Sequence, residues 1–559
     1  MDIYTLFMNA IIILLVVIFI RHSLHRLRYF LHMFQQLGYK TNEFRNWVMD
    51  HFFSRFFTVE HILFNLIILA IITLLVDRIT LTAGAITMFV FTLFWFLGTS
   101  KYKAEKEKKP LVYTARLKRL MVTVLVILGF LWFYMIDIAY RGIQLRDFVA
   151  PFINVDPYFL SFGMVVVDIF IPLFLLLSAF LMKPVEKQIQ KGFKKQARKK
   201  LASLPHLKVI AITGSYGKTS TKFLMDAFLK ERVRVCVTPG SFNTPMGICK
   251  VINNNLDAHH QVLILEMGAR YEGNIKELCE IARPDISVIT NVGLAHLETF
   301  GSQKAIAREK STLARELKPG GTLILNSDDP LVKEMAELRN DVKTVFAGSE
   351  GKVRISESET DADGTCFKMS VFDDDGNRIS KEDFRTRLLG KHIIQNMSIA
   401  AAVALEFDIR LKTMAVAASK IEPVEHRLEL KERDGLVIID DAFNSNPVGA
   451  KNAVDILASF KSGKKIIITP GMIELGELED EENQKLGEHI AKAGLDLIIL
   501  VGDEQTKSIQ KGIKKAHNGA APNMRIANSL FEANDILKEF ASPGDVVLYE
   551  NDLPDTYNS

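Results

Sequence analysis

A glycine-rich segment near residue 214 carries residue types that bind phosphate groups. An apolar run precedes it and an amphipathic stretch follows, which predicts a strand, a tight turn and the start of a helix. In that arrangement backbone N–H groups surround phosphates, Lys218 holds the β- and γ-phosphates, and the Thr219 hydroxyl binds Mg²⁺. The common phosphate-binding loop has a further glycine where this chain has Ile212. The residues of this segment that are predicted to form an ATP site are Gly214, Ser215, Gly217, Lys218, Thr219 and Ser220.

Polar residues follow several of the strands predicted after residue 207. Apolar runs alternate with helical stretches, which is typical of a parallel sheet. Ligands bind at the carboxyl ends of such strands, so Glu266 and His296, which follow two of them, are candidates for binding. As isolated residues, Glu266 could instead cap a helix and His296 could be a core histidine. The predicted strands are 207–214, 261–268, 286–293 and 321–329.

The rest of the C-terminal part predicts a second α/β unit. Residues 343–390 are polar and rich in turn residues, which favours antiparallel hairpins. Apolar runs resume at about residue 436, and the boundary between the two units is predicted near Pro423. The predicted strands of the second unit are 436–441, 464–471, 495–502 and 544–550.

The first 200 residues predict an α-helical transmembrane module with five crossings. Each apolar run is about as long as a bilayer is thick. Six, eight and eight Lys or Arg follow the first, third and fifth runs, whereas the alternate connections hold only Arg78, Arg141 and Arg146. Because basic residues stay on the cytoplasmic side, we expect a multi-pass protein of the cell membrane with its N-terminus outside and everything after residue 183 in the cytoplasm. The five runs are 3–20, 61–77, 79–98, 120–139 and 158–182.

A basic stretch follows the fifth run, and two interpretations of it remain open. It could be an interfacial helix that binds anionic lipid, or a solvated linker over 183–204, which we favour. Four widely spaced cysteines without a CxxC pair argue against a disulfide framework and a structural zinc site. The net charge of +4 is too small to indicate a particular partner, and we expect no nucleic acid.

Several separated motifs occur together in the C-terminal part. They are AITGSYGKTSTK, PGSFNTPMG, LEMGARYEGNI, ITNVGLAHLETFGS and AIAREK, in this order. In order and spacing they resemble the Mur ligases that build peptidoglycan stem peptides, most closely those that add a D-alanyl-D-alanine dipeptide. The resemblance covers about residues 205–550. It implies a P-loop central ligase domain (205–423) and a Rossmann-like C-terminal ligase domain (424–559), after the transmembrane module (1–182) and the basic linker (183–204).

The resemblance also implies roles for individual residues. Glu266 and His296 match the family's magnesium-binding glutamate and histidine. Lys310 matches a lysine that carbon dioxide carbamylates, which creates a ligand for a second Mg²⁺. Asn396 matches the asparagine at the adenine, although Ile393 stands where the family usually has another asparagine and leaves the adjacent His392 uncertain. The remaining matches are Arg427 for the γ-phosphate, Asp441 for the ribose, and Asn243 and Thr244 for the muramoyl-peptide donor.

The function expected from the resemblance is ATP-dependent ligation. ATP converts a carboxylate of a cell-wall precursor into an acyl phosphate, and an amino acid or dipeptide attacks it. The membrane module stands where the family has its uridine-binding domain, so we expect the donor to be a UDP-MurNAc peptide or its lipid-linked equivalent. The chain end ENDLPDTYNS replaces a basic motif and leaves the amine open.

Three other functions compete with this interpretation. A polyglutamate or capsule synthase of the same superfamily would fit the missing uridine domain. A P-loop transport ATPase is disfavoured because the apolar runs hold few charges, of which Asp137 and Asp168 stand out. A scaffold without activity is disfavoured because Lys218, Glu266, His296 and Lys310 are all present.

Overall fold

The chain separates after Ile189 into two compact units, which are described in turn. The predicted span 61–77, most of the span 79–98 and the chain end 552–559 lie outside the residues that the structure describes. The structure is a computed structural model, and it describes residues 3–52, 90, 93–102, 110–149, 156–240, 242–361, 364–423, 426–442, 445–473, 475–516 and 523–551.

The first unit is helical wherever it has regular structure in the described residues. Two segments, Ala115–Tyr134 and Gly163–Ala202, are long and apolar enough to cross a membrane, by length and composition alone. They overlap the predicted spans 120–139 and 158–182, whereas the span 3–20 lies within a longer helix. The helices are α1 (Ile3–Gln36), α2 (Thr41–Asp50), α3 (Ala115–Val149) and α4 (Asp156–Ala202), with a 3₁₀ turn at Thr99–Tyr102. The stretch predicted as a linker is therefore helical as far as Ala202.

A buried charge cluster joins α1 to α4. The Arg26 Nη1 atom donates to Asp168 Oδ2 at 2.5 Å, and His22 Nε2 lies 3.2 Å from Asp168 Oδ1. The side chains of Arg26 and Asp168 are fully buried. Because an uncompensated buried charge is strongly destabilising, this pair favours one packing of α1 on α4.

The second unit contains two sheets. In its described residues, the larger sheet has the order β2-β3-β1-β4-β5-β6-β7-β8-β9 and the smaller one β10-β11-β15-β12-β13-β14. The strands of the larger sheet are β1 (Lys208–Thr213), β2 (Val235–Val237), β3 (Val262–Glu266), β4 (Ile286–Ile289), β5 (Thr322–Asn326), β6 (Lys343–Ala347), β7 (Val353–Asp361), β8 (Gly364–Phe372) and β9 (Arg378–Thr386). Those of the smaller sheet are β10 (Glu429–Arg433), β11 (Leu436–Asp441), β12 (Lys465–Thr469), β13 (Leu497–Val501), β14 (Met524–Ala527) and β15 (Val546–Glu550).

Helices connect these strands. Those of the larger-sheet domain are α5 (Lys218–Leu229), α6 (Pro245–Asn254), α7 (Asn274–Ile281), α8 (Leu297–Phe300), α9 (Gln303–Arg315), α10 (Pro330–Lys333), α11 (Lys391–Leu405) and α12 (Leu411–Ala418). Those of the smaller-sheet domain are α13 (Pro447–Ser459), α14 (Glu479–Lys492), α15 (Lys507–Ala516) and α16 (Leu530–Phe540), and 3₁₀ turns cover Glu334–Leu338 and Gly476–Leu478.

Alternate residues of the central strands pack into two separate cores. In β1, Ile210 and Ile212 join the core that contains α5 and α11, whereas Val209 and Ala211 join the core on the opposite face. A strand points successive side chains to opposite faces, so an unbroken apolar run fits only a sheet covered on both sides. Burial of each Ile, Leu or Val side chain stabilises the fold by about 1.5–3 kcal/mol.

The strand pairing agrees with the sequence analysis in most respects. All eight strands predicted for the two α/β units are present, and β1 to β6 are parallel. The antiparallel hairpins predicted over 343–390 are confirmed for β7, β8 and β9. The prediction was wrong for β6, which pairs in parallel with β5 because it extends the main sheet before the hairpins begin.

Local signals start the helices that border the ligand edge of each sheet. Thr244 caps α6, accepting from Gly247 N at 3.3 Å, with Pro245 in the first turn. Asn446 caps α13 in the same way, accepting from Gly449 N at 2.9 Å before Pro447. A side-chain oxygen at this position satisfies an otherwise unbonded backbone N–H group. Each helix therefore begins just beyond the carboxyl end of a strand.

Candidate active site

The phosphate-binding segment forms a tight turn between β1 and α5. Gly217 has φ 76° at the N-terminal cap of α5. A Cβ atom there would lie 2.6 Å from Asn396 Oδ1, so both the backbone conformation and the space require glycine. Ser215 N donates to Asn291 O at 3.0 Å and Tyr216 N to Asn291 Oδ1 at 2.8 Å. The loop after β4 therefore holds the turn in position.

The Lys218 side chain folds over this turn. Its Nζ atom donates to Gly214 O at 2.7 Å and to Ser215 O at 3.0 Å. Burial lowers the pKa of Lys218 to about 8, while Glu266 acts to raise it and Arg427 to lower it further. An amine this close to the helix start can exchange its carbonyl partners for phosphate oxygens.

Glu266, at the carboxyl end of β3, is the centre of the site. Thr219 Oγ1 donates to Glu266 Oε2 at 3.0 Å, and Asn243 Nδ2 donates to Glu266 Oε1 at 3.2 Å. Lys222 Nζ lies 3.2 Å from Glu266 Oε2. The carboxylate is buried and is surrounded by donors from α5 and from the segment after β2.

The oxygen atoms at this point suit a hard cation. Mg²⁺ prefers carboxylate and hydroxyl oxygens and keeps several waters, and the Glu266 carboxylate and the Thr219 hydroxyl provide one of each. In the described residues, no three His, Cys, Asp or Glu side chains come together in a group that could hold a metal. A Mg²⁺ ion bound here would therefore need water or phosphate oxygens to complete its coordination.

Lys310 is buried on α9, where the preceding residue fixes its position. Glu309 accepts from Gly273 N at 2.8 Å and from Ile275 N at 2.7 Å, so it caps the start of α7. Burial and the Lys218 charge hold the pKa of Lys310 well below its usual range. Carbon dioxide reacts with a neutral amine, so this environment suits a carbamate. Carbamylation itself stays a prediction.

His296 lies at the start of α8 in a left-handed backbone conformation with φ 60°. Such a conformation costs a residue with a side chain about 1–3 kcal/mol and is concentrated at functional sites. Thr299 N donates to His296 O at 3.1 Å, which stabilises the turn. His296 is therefore held in position at the ligand edge, and its role as a magnesium ligand stays a prediction.

Asn396 supplies a polar group aimed at the phosphate-binding turn. The residue is buried on α11, and its side chain abuts Gly217. Among the described residues no acceptor lies within hydrogen-bonding distance of its Nδ2 atom. A buried donor without a partner costs about 1–3 kcal/mol. A nucleotide beside the turn would provide the missing acceptor, so the residues present fit ATP.

Two predicted residues come from the smaller-sheet domain. Arg427 is close enough to Glu266 and Asp441 for both carboxylates to raise its pKa, although burial lowers that pKa overall. Asp441 Oδ1 accepts from Leu428 N at 3.2 Å, and burial raises the pKa of Asp441 to about 6. The site therefore combines charged groups from both α/β domains of the second unit.

The donor-contact residues differ in how their side chains are used. Asn243 bonds to Glu266 and therefore lies within the site. The Thr244 oxygen caps α6 instead. Ser220, on the first turn of α5, is partly buried. Contact of Asn243 and Thr244 with a donor remains a prediction.

Three residues of the site were missed or left uncertain by the sequence analysis. The sequence analysis does not single out Lys222, which lies one helical turn after Lys218. The hydroxyl oxygen of Tyr216 accepts a hydrogen bond from Leu294 N at 2.9 Å. His392 Nδ1 lies 3.1 Å from Asn452 Nδ2, and burial lowers the pKa of His392 to about 4. For Lys222, the signal in the sequence was its i, i+4 spacing from Lys218, which places both side chains on one face of the helix.

Comparison with known families identifies both α/β domains. Residues 212–404 match the model of the Mur ligase middle domain, and residues 426–549 match that of the Mur ligase, glutamate ligase domain. The UDP-N-acetylmuramoyl-tripeptide–D-alanyl-D-alanine ligase of Bacillus subtilis is 30% identical over 345 residues, which are 61% of this chain and 72% of that protein. The ligase of the same name from Mycobacterium bovis is 34% identical over 330 residues, 56% of this chain and 61% of that protein.

Solved structures give the same result. MurF from Acinetobacter baumannii has a TM-score of 0.59 at 25% identity, covering 66% of this chain and 78% of that one. MurF from Thermotoga maritima in complex with ADP has a TM-score of 0.57 at 26% identity, covering 66% and 81%. The two family models together cover both α/β domains of the chain. The chain belongs to the Mur ligase family of ATP-dependent acid–amino-acid ligases.

Proposed function

We propose that this chain joins D-alanyl-D-alanine, or another amino acid or dipeptide, to a carboxylate of a cell-wall precursor. The observation that carries the proposal is the convergence of Lys218, Glu266 and Arg427. Burial lowers the pKa of both cations, and Glu266 lies close enough to each for its charge to oppose that lowering. The names of the relatives from Bacillus subtilis and Mycobacterium bovis support the same substrates.

The chemistry requires activation because a carboxylate is a poor electrophile. A donor carboxylate oxygen attacks the γ-phosphorus of ATP, ADP leaves, and an acyl phosphate forms. The amine then attacks the acyl carbon, loses a proton, and expels inorganic phosphate. Lys218 and Arg427 bind the phosphate oxygens and stabilise the charge that develops on them.

We assign metal binding to Glu266 at the end of β3, Thr219 on α5, His296 at the start of α8 and Lys310 on α9. Thr219 and Glu266 would hold one Mg²⁺, and His296 with carbamylated Lys310 would serve a second. The metal supplies charge neutralisation at the phosphate oxygens. Asn396 orients the adenine and Asp441 the ribose, and the position of Arg427 and Asp441 on the other domain makes domain closure part of assembling the site.

The substrate assignment is tested with the full chain in detergent. We expect phosphate release from ATP only when UDP-MurNAc-tripeptide, or its lipid-linked equivalent, and D-alanyl-D-alanine are both present. Comparing the two donors decides between soluble and lipid-linked substrate. Absence of amine-dependent phosphate release with either donor would contradict the proposal, and release with glutamate alone would indicate a polyglutamate-type ligase.

The Lys310 assignment is tested on the same reaction. Lys310→Ala should lower turnover by about 10³-fold, because it removes the proposed ligand of a metal ion that stabilises charge on the reacting phosphate, and added short carboxylic acids should partly restore it. Lys304→Ala, an exposed lysine on the same helix, is the matched control. Full activity of Lys310→Ala would remove Lys310 from the site.

The proposal also places the ligase domains on the cytoplasmic side of the cell membrane. Two described apolar segments and the distribution of Lys and Arg support this position. Expressed protein should stay with the membrane fraction after an alkaline carbonate wash, and a fluorescent protein fused to residue 559 should be bright because it folds in the cytoplasm. Recovery in the washed supernatant would exclude a spanning module.

A further inference from the structure

Lys222 is a buried cation that the mechanism above does not use. Its side chain is fully buried on α5. Lys222 lies one helical turn after Lys218, so the two side chains project from the same face of α5. A fully buried ammonium requires partners that compensate its charge, and the identity of those partners indicates its role.

The two partners of Lys222 belong to different parts of the site. Lys222 Nζ donates to Glu266 Oε2 at 3.2 Å and also to the backbone carbonyl of Gly240. Gly240 belongs to the segment 238–244, called here the Gly240 segment, of which Ser241 lies outside the described residues. One ammonium group therefore connects the central carboxylate to this segment.

The Gly240 segment has further bonds to the end of β3. Asn243 Nδ2 donates to Glu266 Oε1 at 3.2 Å, Gly268 N donates to Asn243 O at 3.1 Å, and Glu266 N donates to Thr238 Oγ1 at 3.4 Å. The segment thus bonds directly to one oxygen of the Glu266 carboxylate and is linked to the other oxygen through Lys222. A change at that carboxylate reaches the segment through Lys222 and Asn243.

A cation at Glu266 would compete with Lys222. The Oε2 atom accepts from both Thr219 Oγ1 and Lys222 Nζ, and a divalent ion bound there would repel an ammonium group a few ångströms away. Repulsion would weaken the Lys222 bond to Glu266 and, with it, the hold on the Gly240 carbonyl.

We propose that Lys222 is a positioning residue that occupies Glu266 before the metal binds and links metal binding to release of the Gly240 segment. The inference rests on the proposed function in one respect, the assignment of Glu266 as a metal ligand. It adds that the segment carrying Asn243 and Thr244 is held in place without metal and becomes free to contact the donor with it.

The test uses the full chain in detergent with ADP, and Mn²⁺ as the probe. Lys222→Met removes the charge and keeps the length, so Mn²⁺ should bind more tightly, by on the order of tenfold, measured from the loss of the free-ion signal in electron paramagnetic resonance. Lys222→Arg keeps the charge and should bind Mn²⁺ within about threefold of the unaltered protein. Lys230→Met, which removes a half-exposed lysine just after α5, is the control and should not change binding.

The segment is followed separately by chymotrypsin. Phe242 is 40% exposed, and the fragment that ends at Phe242 is quantified by mass spectrometry. In the unaltered protein Mn²⁺ should accelerate this cleavage, whereas in Lys222→Met the cleavage should be fast with or without Mn²⁺. Neither measurement requires the donor or turnover.

The outcomes separate the possible failures. Weaker Mn²⁺ binding by Lys222→Met, with an unchanged circular dichroism spectrum, would mean that Lys222 only supports the site and would overturn the proposal. Tighter binding with unchanged cleavage at Phe242 would overturn the link to the segment. If Lys222→Met does not fold, two other results would overturn the proposal. One is a loss of Mn²⁺ binding in folded Lys222→Arg, and the other is cleavage at Phe242 in the unaltered protein that does not change when Mn²⁺ is added. Failure of ligation in the unaltered protein, with these results intact, would refute only the substrate assignment.

Discussion

Glu550 is a fully buried carboxyl group at the end of β15, and its replacement by Gln should change how stability depends on pH. Ser445 Oγ donates to Glu550 Oε1, and Thr469 Oγ1 donates to Glu550 Oε2 at 2.7 Å. Burial raises the pKa of Glu550 from 4.5 to about 7, the two hydroxyl bonds oppose this, and Asp441 adds to it. The native state therefore keeps a proton that the unfolded chain has already lost.

The sign and size of the effect follow from that difference. Between pH 4.5 and about 7 the unfolded state binds fewer protons than the native state, so the free energy of unfolding falls as pH rises. Each pKa unit corresponds to about 1.4 kcal/mol, so the loss from Glu550 reaches about 3 kcal/mol above pH 7. Gln is neutral at every pH and keeps an oxygen acceptor, so Glu550→Gln removes this loss.

The assay is urea unfolding followed by far-ultraviolet circular dichroism at several values between pH 5 and pH 8. The free energy of unfolding of Glu550→Gln relative to the unaltered protein should rise by about 3 kcal/mol across this range. Glu539→Gln, an exposed carboxyl on α16, is the control and should show no such trend. Asp441 is present in all three proteins, so its own titration largely cancels in the comparison.

Two results would refute this reasoning. A difference between Glu550→Gln and the unaltered protein that is independent of pH would show that Glu550 ionises as readily in the native state as in the unfolded one. A difference that grows toward low pH would show that the native state favours the charged form.

Three further predictions concern other parts of the molecule. Gly217→Ala should weaken ADP binding by tenfold or more in calorimetry, because φ 76° and the contact with Asn396 both exclude a Cβ atom; unchanged affinity would contradict this. Cys366 is exposed and the other three cysteines are buried, so a thiol reagent should modify one thiol in the native protein and four after unfolding; rapid modification of several native thiols would contradict that burial. Asp168→Asn should destabilise the first unit by about 3–5 kcal/mol, seen as a lower melting temperature in detergent, because it leaves Arg26 buried without its carboxylate; an unchanged melting temperature would argue against the ion pair.

The strands and turns of the α/β domains were predictable because their signals are local. An apolar run between turn residues, such as residues 208–213, needs no knowledge of distant residues to form a strand in a covered sheet. The turn before Lys218 was predictable for the same reason, since glycine at Gly217 permits the positive φ that the turn requires. The motif order also identified the family that the comparisons then showed.

The roles of several charged residues were not predictable because they depend on distant partners. Lys222 became part of the site only when β3 placed Glu266 beside α5, 44 residues away in the sequence. In the sequence Glu550 is only the last residue of the predicted strand 544–550, and its neighbours Ser445 and Thr469 are 105 and 81 residues away. No local pattern records such pairs.

The sequence by itself determined the family, the phosphate-binding turn, the order of strands along the chain and the candidate residues for phosphate and metal binding. Each of these depends on residue type, spacing and local backbone preference. Only the tertiary structure decided that Arg427 lies close enough to Lys218 and Glu266 to interact with their charges. It also decided that the Thr244 oxygen caps a helix and that Lys222 bonds to two parts of the site at once. The physical reason is that burial, charge compensation and pKa depend on the distance between groups in space, and the order of strands in the sheet, not their order in the chain, sets that distance.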